Sequence, residues 1–91
     1  MTINEGMKKL RLPNPTTPED LECRWHRTLK FGDKVLVAGY YYNGLNKPCW
    51  YGATYEFLTG DTTAEGVIGL RAVSEIEFED DGHAIEWAMR Q

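Results

Sequence analysis

A chain of 91 residues with 42% hydrophobic and 26% charged residues fits one domain, 1–91, with one modest core. No apolar run nears the ~18 residues of a membrane span and no leader pattern is present, so a soluble, cytoplasmic protein without membrane contact is expected. The net charge of −4 is uneven: residues 1–34 hold seven Lys/Arg and five Asp/Glu (+2), residues 35–91 three and nine (−6). An acidic body weighs against direct nucleic-acid binding, whose affinity comes from cations meeting phosphates, and suits a partner protein with a basic surface.

In chain order, residues 1–16 carry two prolines and no sustained period and read as an arm, with Leu10 and Leu12 alternating with Lys9 and Arg11. Thr17-Pro18-Glu19-Asp20 is a helix start: a threonine cap, a proline at the first helical position, and two acids at the positive end of the dipole. Leu21, Trp25, Thr28 and Leu29 then share a helical face, predicting a helix over about 18–29, within a 17–30 segment closed by Gly32. A strand reading competes, because Leu21, Cys23, Trp25, Leu29 and Phe31 alternate apart from Arg27.

Residues 35–42 are rich in β-branched and aromatic side chains and predict a strand. Asn43-Gly44 opens a loop that Pro48 lengthens beyond two residues. In the next strand Tyr51, Ala53, Tyr55 and Phe57 alternate with Trp50, Gly52, Thr54 and Glu56, so the odd positions face the core. Residues 59–66 form a polar loop. From Ile68 to Phe78 the even positions are mostly apolar, with a bend expected near Val73–Ser74. Asp81-Gly82 is a hairpin signal, and with those two as the turn Phe78 lies opposite Ile85 and Ile76 opposite Trp87, on one face. A strand over about His83–Met89 follows, in preference to a helix from Gly82. One helix followed by five short strands, 31–91, predicts a mainly β, α+β chain folded as a small antiparallel barrel of SH3-like type.

The runs Gly32-Asp33-Lys34-Val35-Leu36-Val37, Trp50-Tyr51-Gly52-Ala53-Thr54-Tyr55 and Ile76-Glu77-Phe78-Glu79-Asp80-Asp81-Gly82-His83 resemble, in order, the opening strand, the Trp-Tyr-x-Ala strand and the hairpin of Tudor domains. That resemblance covers about 55 residues and implies a five-stranded barrel holding a methylated Lys or Arg in an aromatic cage. The cage tyrosine of the hairpin is Asp81 here, its asparagine is His83, and the segment between the second and third strands is longer. The short acidic format also resembles bacteriophage accessory proteins, some of which inhibit host defence enzymes.

Two binding surfaces are expected. Tyr40, Tyr42, Trp50 and Phe78 could surround a cation or form a protein-binding hot spot, against the plainer reading that their rings serve core and sheet packing. Glu75, Glu77, Glu79, Asp80 and Asp81, with Glu86 across the hairpin, would put a ladder of negative charge on one outer face, against the plainer reading of a solvated edge. Cys23, His26, Cys49 and His83 are four potential zinc ligands, but their spacing lacks the close pairs of structural sites, so buried cysteines and surface histidines are expected instead. No metal or cofactor is expected. Catalysis finds no footing: nothing activates Cys49, the only serine is Ser74, and Gly66-Val67-Ile68-Gly69 lacks the rest of a phosphate loop. The chain reads as a non-enzymatic binding protein acting through protein contacts, an inhibitor of a host protein in the phage manner. The other reading is a binder of a methylated amine or nucleotide by stacked rings. Oligomeric state is not legible.

Overall fold

A computed structural model describes residues 2–22, 26–42 and 44–91. Helix α1 (Ile3–Lys9) opens with a capping box: Thr2 accepts from the Glu5 N–H, and the Glu5 carboxylate accepts from the Thr2 N–H. Helix α2 (Pro18–Leu21) is capped by Thr17, whose hydroxyl accepts from the Asp20 N–H. Four strands follow, β1 (His26–Phe31), β2 (Lys34–Tyr42), β3 (Pro48–Phe57) and β4 (Ile68–Val73), and helix α3 (Asp81–Met89) ends the chain. The strands pair antiparallel in sequence order, β1-β2-β3-β4, as an open meander.

The pleat divides the sheet into two covered faces. One carries Val35, Val37, Ala53, Tyr55, Ile68, Leu70 and Val73, packed with Leu10, Leu12 and Leu21 from the N-terminal segment. The Tyr55 hydroxyl donates to the Pro13 carbonyl at 2.7 Å, pinning that segment to the sheet. The other face carries Leu36, Ala38, Gly52 and Thr54, and α3 lies across it. The closest approach is at Gly52, where an added Cβ would stand 2.5 Å from the Ala84 carbonyl oxygen. The Thr54 hydroxyl donates to the Ala88 carbonyl, and Arg27 pairs with Asp81 at the other end of the helix.

Several expectations are corrected. The helix over 18–29 stops at Leu21, and 26–31 is the first strand, in register Leu29 with Leu36 and Arg27 with Ala38. A full ladder against β2 outweighs a capping signal that is spent in one turn, since short helices carry a costly nucleus. The arm is no loose end: Leu10 and Leu12 are each 1% exposed and fill one face. The predicted hairpin over 76–87 is a turn leading into α3. Asp80 caps it, accepting from the His83 N–H at 2.7 Å, and the small residues Ala84 and Ala88 let the helix settle on the sheet. The helix also separates Glu77 from the cross-strand pairing with Glu86 that a hairpin would have imposed.

Among the described residues the sheet therefore has four strands and does not close into a five-stranded SH3- or Tudor-like barrel. The row Tyr51, Ala53, Tyr55, Phe57 does face the core, as predicted. The bend at Val73–Ser74 is where β4 ends, and a bulge beside Thr54/Tyr55 places an extra residue in β4, so that Leu70 pairs with Tyr55 but Val73 with Ala53. The outer edge of β4 is occupied: Thr16 exchanges both backbone hydrogen bonds with Ile68, and the Asn14 side chain accepts from the Leu70 N–H.

Candidate functional site

The aromatic residues singled out from sequence gather at one end of the sheet. Among the described residues β1 pairs with β2 as far as Gly39, while β2 and β3 continue through Tyr40–Trp50 and Tyr42–Pro48. Tyr40, Tyr42 and Trp50 lie on the face that α3 covers further along, beyond that helix's N-terminus. Tyr40 packs edge-to-face on Trp50 with ring centroids 5.0 Å apart, and on Tyr42 at 5.5 Å. Phe78 exchanges two backbone hydrogen bonds with Trp50, at 2.9 and 2.7 Å, which sets its side chain on the same side of the strands. Tyr40, Trp50 and Phe78 are half-buried and Tyr42 is 51% exposed. A hydrogen bond with Tyr42 holds the Tyr40 phenol above its ordinary pKa.

The acidic residues do not form one ladder. Glu75, Glu77 and Glu79 are exposed on the turn between β4 and α3, a turn fixed by Ser74, whose hydroxyl donates to the Ile76 carbonyl and accepts from the Gly52 N–H. Asp80 caps α3 and bonds the His83 ring at 2.7 Å, which holds the Asp80 carboxyl below, and the His83 imidazole above, their ordinary values. Asp81, in the first turn of α3, is taken by Arg27.

The four candidate metal ligands do not assemble. Cys23 lies outside the described residues, and among the described residues no group of three or more His, Cys, Asp or Glu could hold a metal ion. His26 is buried, contrary to the surface position expected for it, with Nδ1 3.2 Å from the Leu21 carbonyl and Nε2 2.7 Å from that of Leu10. The Cys49 thiol is buried and donates to the Tyr41 carbonyl; burial, then a hydrogen bond with Glu77, push its pKa up to about 11. Such a thiol is the reverse of an activated nucleophile.

Among the clefts of the described residues, two lie between the sheet and the segment that precedes β1. The larger, about 480 Å³, lies between α2 and the strands, where Glu19, Glu22 and Glu65 face a single ammonium, Lys30, itself 5.9 Å from the Phe57 ring centroid. The other, about 240 Å³, is walled by Tyr40, Tyr41 and Tyr42 on the β2 side and by Lys9, Leu10 and Arg11 on the other. Lys9 and Arg11 were passed over in the sequence because they sit in a segment read as an arm. The available signal was three cations, Lys8, Lys9 and Arg11, within four positions of an otherwise acidic chain.

A family model described as nucleotide modification associated domain 4 matches residues 12–91. No curated protein and no solved structure matches the chain.

Proposed function

Because the chain belongs to the nucleotide modification associated domain 4 family, we propose that it is a non-enzymatic binding domain that receives a nucleobase on the rings of Tyr40, Tyr42 and Trp50. The observation that carries this reading is the edge-to-face contact of Tyr40 with both neighbours, at 5.0 and 5.5 Å. Rings so close leave no gap between them for an ammonium group, which needs its own van der Waals distance from each face. The cluster therefore favours a flat ligand laid on an outward ring face over a caged methylated amine. Stacking on a protein ring is worth about 1–3 kcal/mol per base and tolerates any base. The high pKa of Cys49 supports binding over nucleophilic chemistry at this end of the sheet.

The test is calorimetric titration of the chain and of its Trp50→Ala and Tyr42→Ala variants with deoxynucleosides. Binding by the parent chain and an affinity loss of about 5- to 150-fold in each variant is the expected result, the range following from that stacking energy. A parent chain that binds none of them ends this reading.

A second reading has its own observation. Glu75, Glu77 and Glu79 are all exposed beside Phe78, and a protein partner with a basic surface could dock there, as an inhibitor of a host enzyme would require. Capture of such a partner by the parent chain and its loss on replacing these three by Gln supports this reading; unchanged capture removes it.

A further inference from the structure

The two edges of the sheet are finished differently. Thr16 and Asn14 occupy the outer edge of β4. The other edge is β1, whose one strand neighbour among the described residues is β2. Antiparallel pairing alternates residues that hydrogen-bond to a neighbouring strand with residues that point away from it. The Asp33 carbonyl accepts from the Phe57 N–H, so the odd residues of β2 serve β3 and its even residues serve β1. In the register of Leu36 with Leu29 and Lys34 with Phe31, the inner bonds of β1 then belong to Arg27, Leu29 and Phe31. The backbone N–H and carbonyl groups of Thr28 and Lys30 point outward, and among the described residues no hydrogen bond reaches them. An edge of this kind is a template for a further strand.

A cleft opens on each side of the edge, and Thr28 borders both. On the face of Thr28 and Lys30 lies the cleft of about 480 Å³ beside α2, with Pro18, Val35 and Phe57 as its apolar lining. Its Glu19, Glu22 and Glu65 are exposed, outnumber the Lys30 ammonium, and have no ion-pair partner among the described residues. On the face of Leu29 lies a cleft of about 330 Å³ between β1 and the first turn of α3. There Leu29, 47% exposed, and Ile85 supply apolar surface, while Arg27 is neutralised by Asp81. A strand added to β1 would turn its side chains alternately into these two clefts. The first suits a long basic side chain, whose stem lies on apolar surface while its head meets carboxylates. The second suits an apolar one.

We propose that β1 takes an extended segment of another protein as a fifth strand of the sheet, a segment in which Lys or Arg alternates with apolar residues. The residue opposite Thr28 exchanges two backbone hydrogen bonds with it and turns a basic side chain towards α2. Its neighbours in the segment turn apolar side chains towards Leu29 and Ile85. A second copy of this chain fits the edge less well. Two β1 strands paired antiparallel about an axis normal to the sheet set like faces side by side, which brings both groups of carboxylates together. The proposal is independent of the nucleobase reading.

The probe is a capped octapeptide of alternating Arg and Val, titrated into the parent chain by calorimetry, with hydrogen exchange followed by NMR. The expected result is saturable binding that slows exchange at the Thr28 and Lys30 amides, and no binding of the corresponding Glu/Val peptide. Two N-methylated peptides separate strand pairing from charge alone. Methyl groups on the Arg nitrogens remove the donors that face β1 and should weaken binding at least about 5-fold. Methyl groups on the Val nitrogens face away from β1 and should leave it unchanged. A Glu22→Gln/Glu65→Gln chain, changed only at exposed positions, should bind the Arg/Val peptide more weakly and with a shallower salt dependence. No binding by the parent chain, a loss from Val methylation as large as that from Arg methylation, or unchanged binding by the glutamine variant overturns the proposal. Binding of the Glu/Val peptide as tight as that of the Arg/Val peptide does the same. A dimer in sedimentation equilibrium that the peptide does not disperse assigns the edge to a second copy and also overturns it.

Discussion

Gly52 decides how close the C-terminal helix can come to the sheet. Its backbone lies so near α3 that a Cβ would meet the Ala84 carbonyl oxygen at 2.5 Å and the Trp87 ring at 2.7 Å. Neither can move without shifting the helix, because the Gly52 N–H and carbonyl are also held by Ser74. Gly52→Ala is expected to cost about 1–3 kcal/mol in urea unfolding, the range for overpacking a close interior contact. Gly32 provides the contrast: nothing stands within 4 Å of its missing Cβ, and a substitution there would be opposed only by its φ of +62° in the tight turn from β1 to β2. A Gly52→Ala chain as stable as the parent would mean that α3 does not lie where it is described.

At the scale of elements, the N-terminus of α3 joins a structural task to a titration. The Asp80 carboxyl is held below its ordinary value of 3.8, first by the His83 N–H and then by the His83 ring, so its contribution is present above that value and lost as pH falls through the lower folded one. The His83 imidazole is raised above 6.5 by Asp80, so its contribution is fully present below 6.5 and lost as pH rises through the raised value. The helix end is thus most firmly held between those two ordinary values. Melting curves across pH should show a decline on the alkaline side of 6.5 that His83→Ala abolishes, and proton NMR should show the His83 pKa falling in Asp80→Asn. An unshifted pKa in that variant would remove the pair from the account.

The same element shows why only part of the fold was legible. The row Tyr51, Ala53, Tyr55, Phe57 was readable because its apolar side chains alternate with Gly52, Thr54 and Glu56, although α3 buries Gly52 and Thr54 on the other face as well. Asp81-Gly82 misled because the two residues suit a hairpin turn and a capped helix start equally well; the deciding facts, Gly52 and the small Ala84 and Ala88, lie more than thirty positions apart and meet only in three dimensions. Thr17-Pro18 likewise marks a true helix, but tells nothing of its length, which β2 sets by drawing 26–31 into the sheet. Tyr40, Tyr42, Trp50 and Phe78 were nameable as a group from their ring chemistry alone.

For the whole molecule, one face of the sheet depends on residues that precede the span matched by the family, 12–91. A chain beginning at Leu12 would lose α1 and Leu10, and with them the carbonyl that faces Nε2 of the buried His26. Removing a core leucine side chain costs about 2–5 kcal/mol, a large share of the 5–15 kcal/mol that holds a domain together. The shortened chain is expected to melt far below the parent, or to lack a cooperative transition, by circular dichroism. Leu10→Ala in the full chain should show a smaller loss of the same sign. A shortened chain as stable as the parent would make the N-terminal cover dispensable.

The closing of the β4 edge by Thr16 and Asn14 sets an order on how the molecule is made. A ribosome releases the N-terminal segment first, yet Ile68 and Leu70, which hold its backbone, emerge only after nearly three-quarters of the chain. The β2–β3 pairing can form from neighbouring sequence as soon as it leaves the exit tunnel, with the apolar underside of those strands still uncovered. During that interval the nascent sheet is a sticky surface, and Asn14 and Thr16, made before any strand, are among the last to be locked in place.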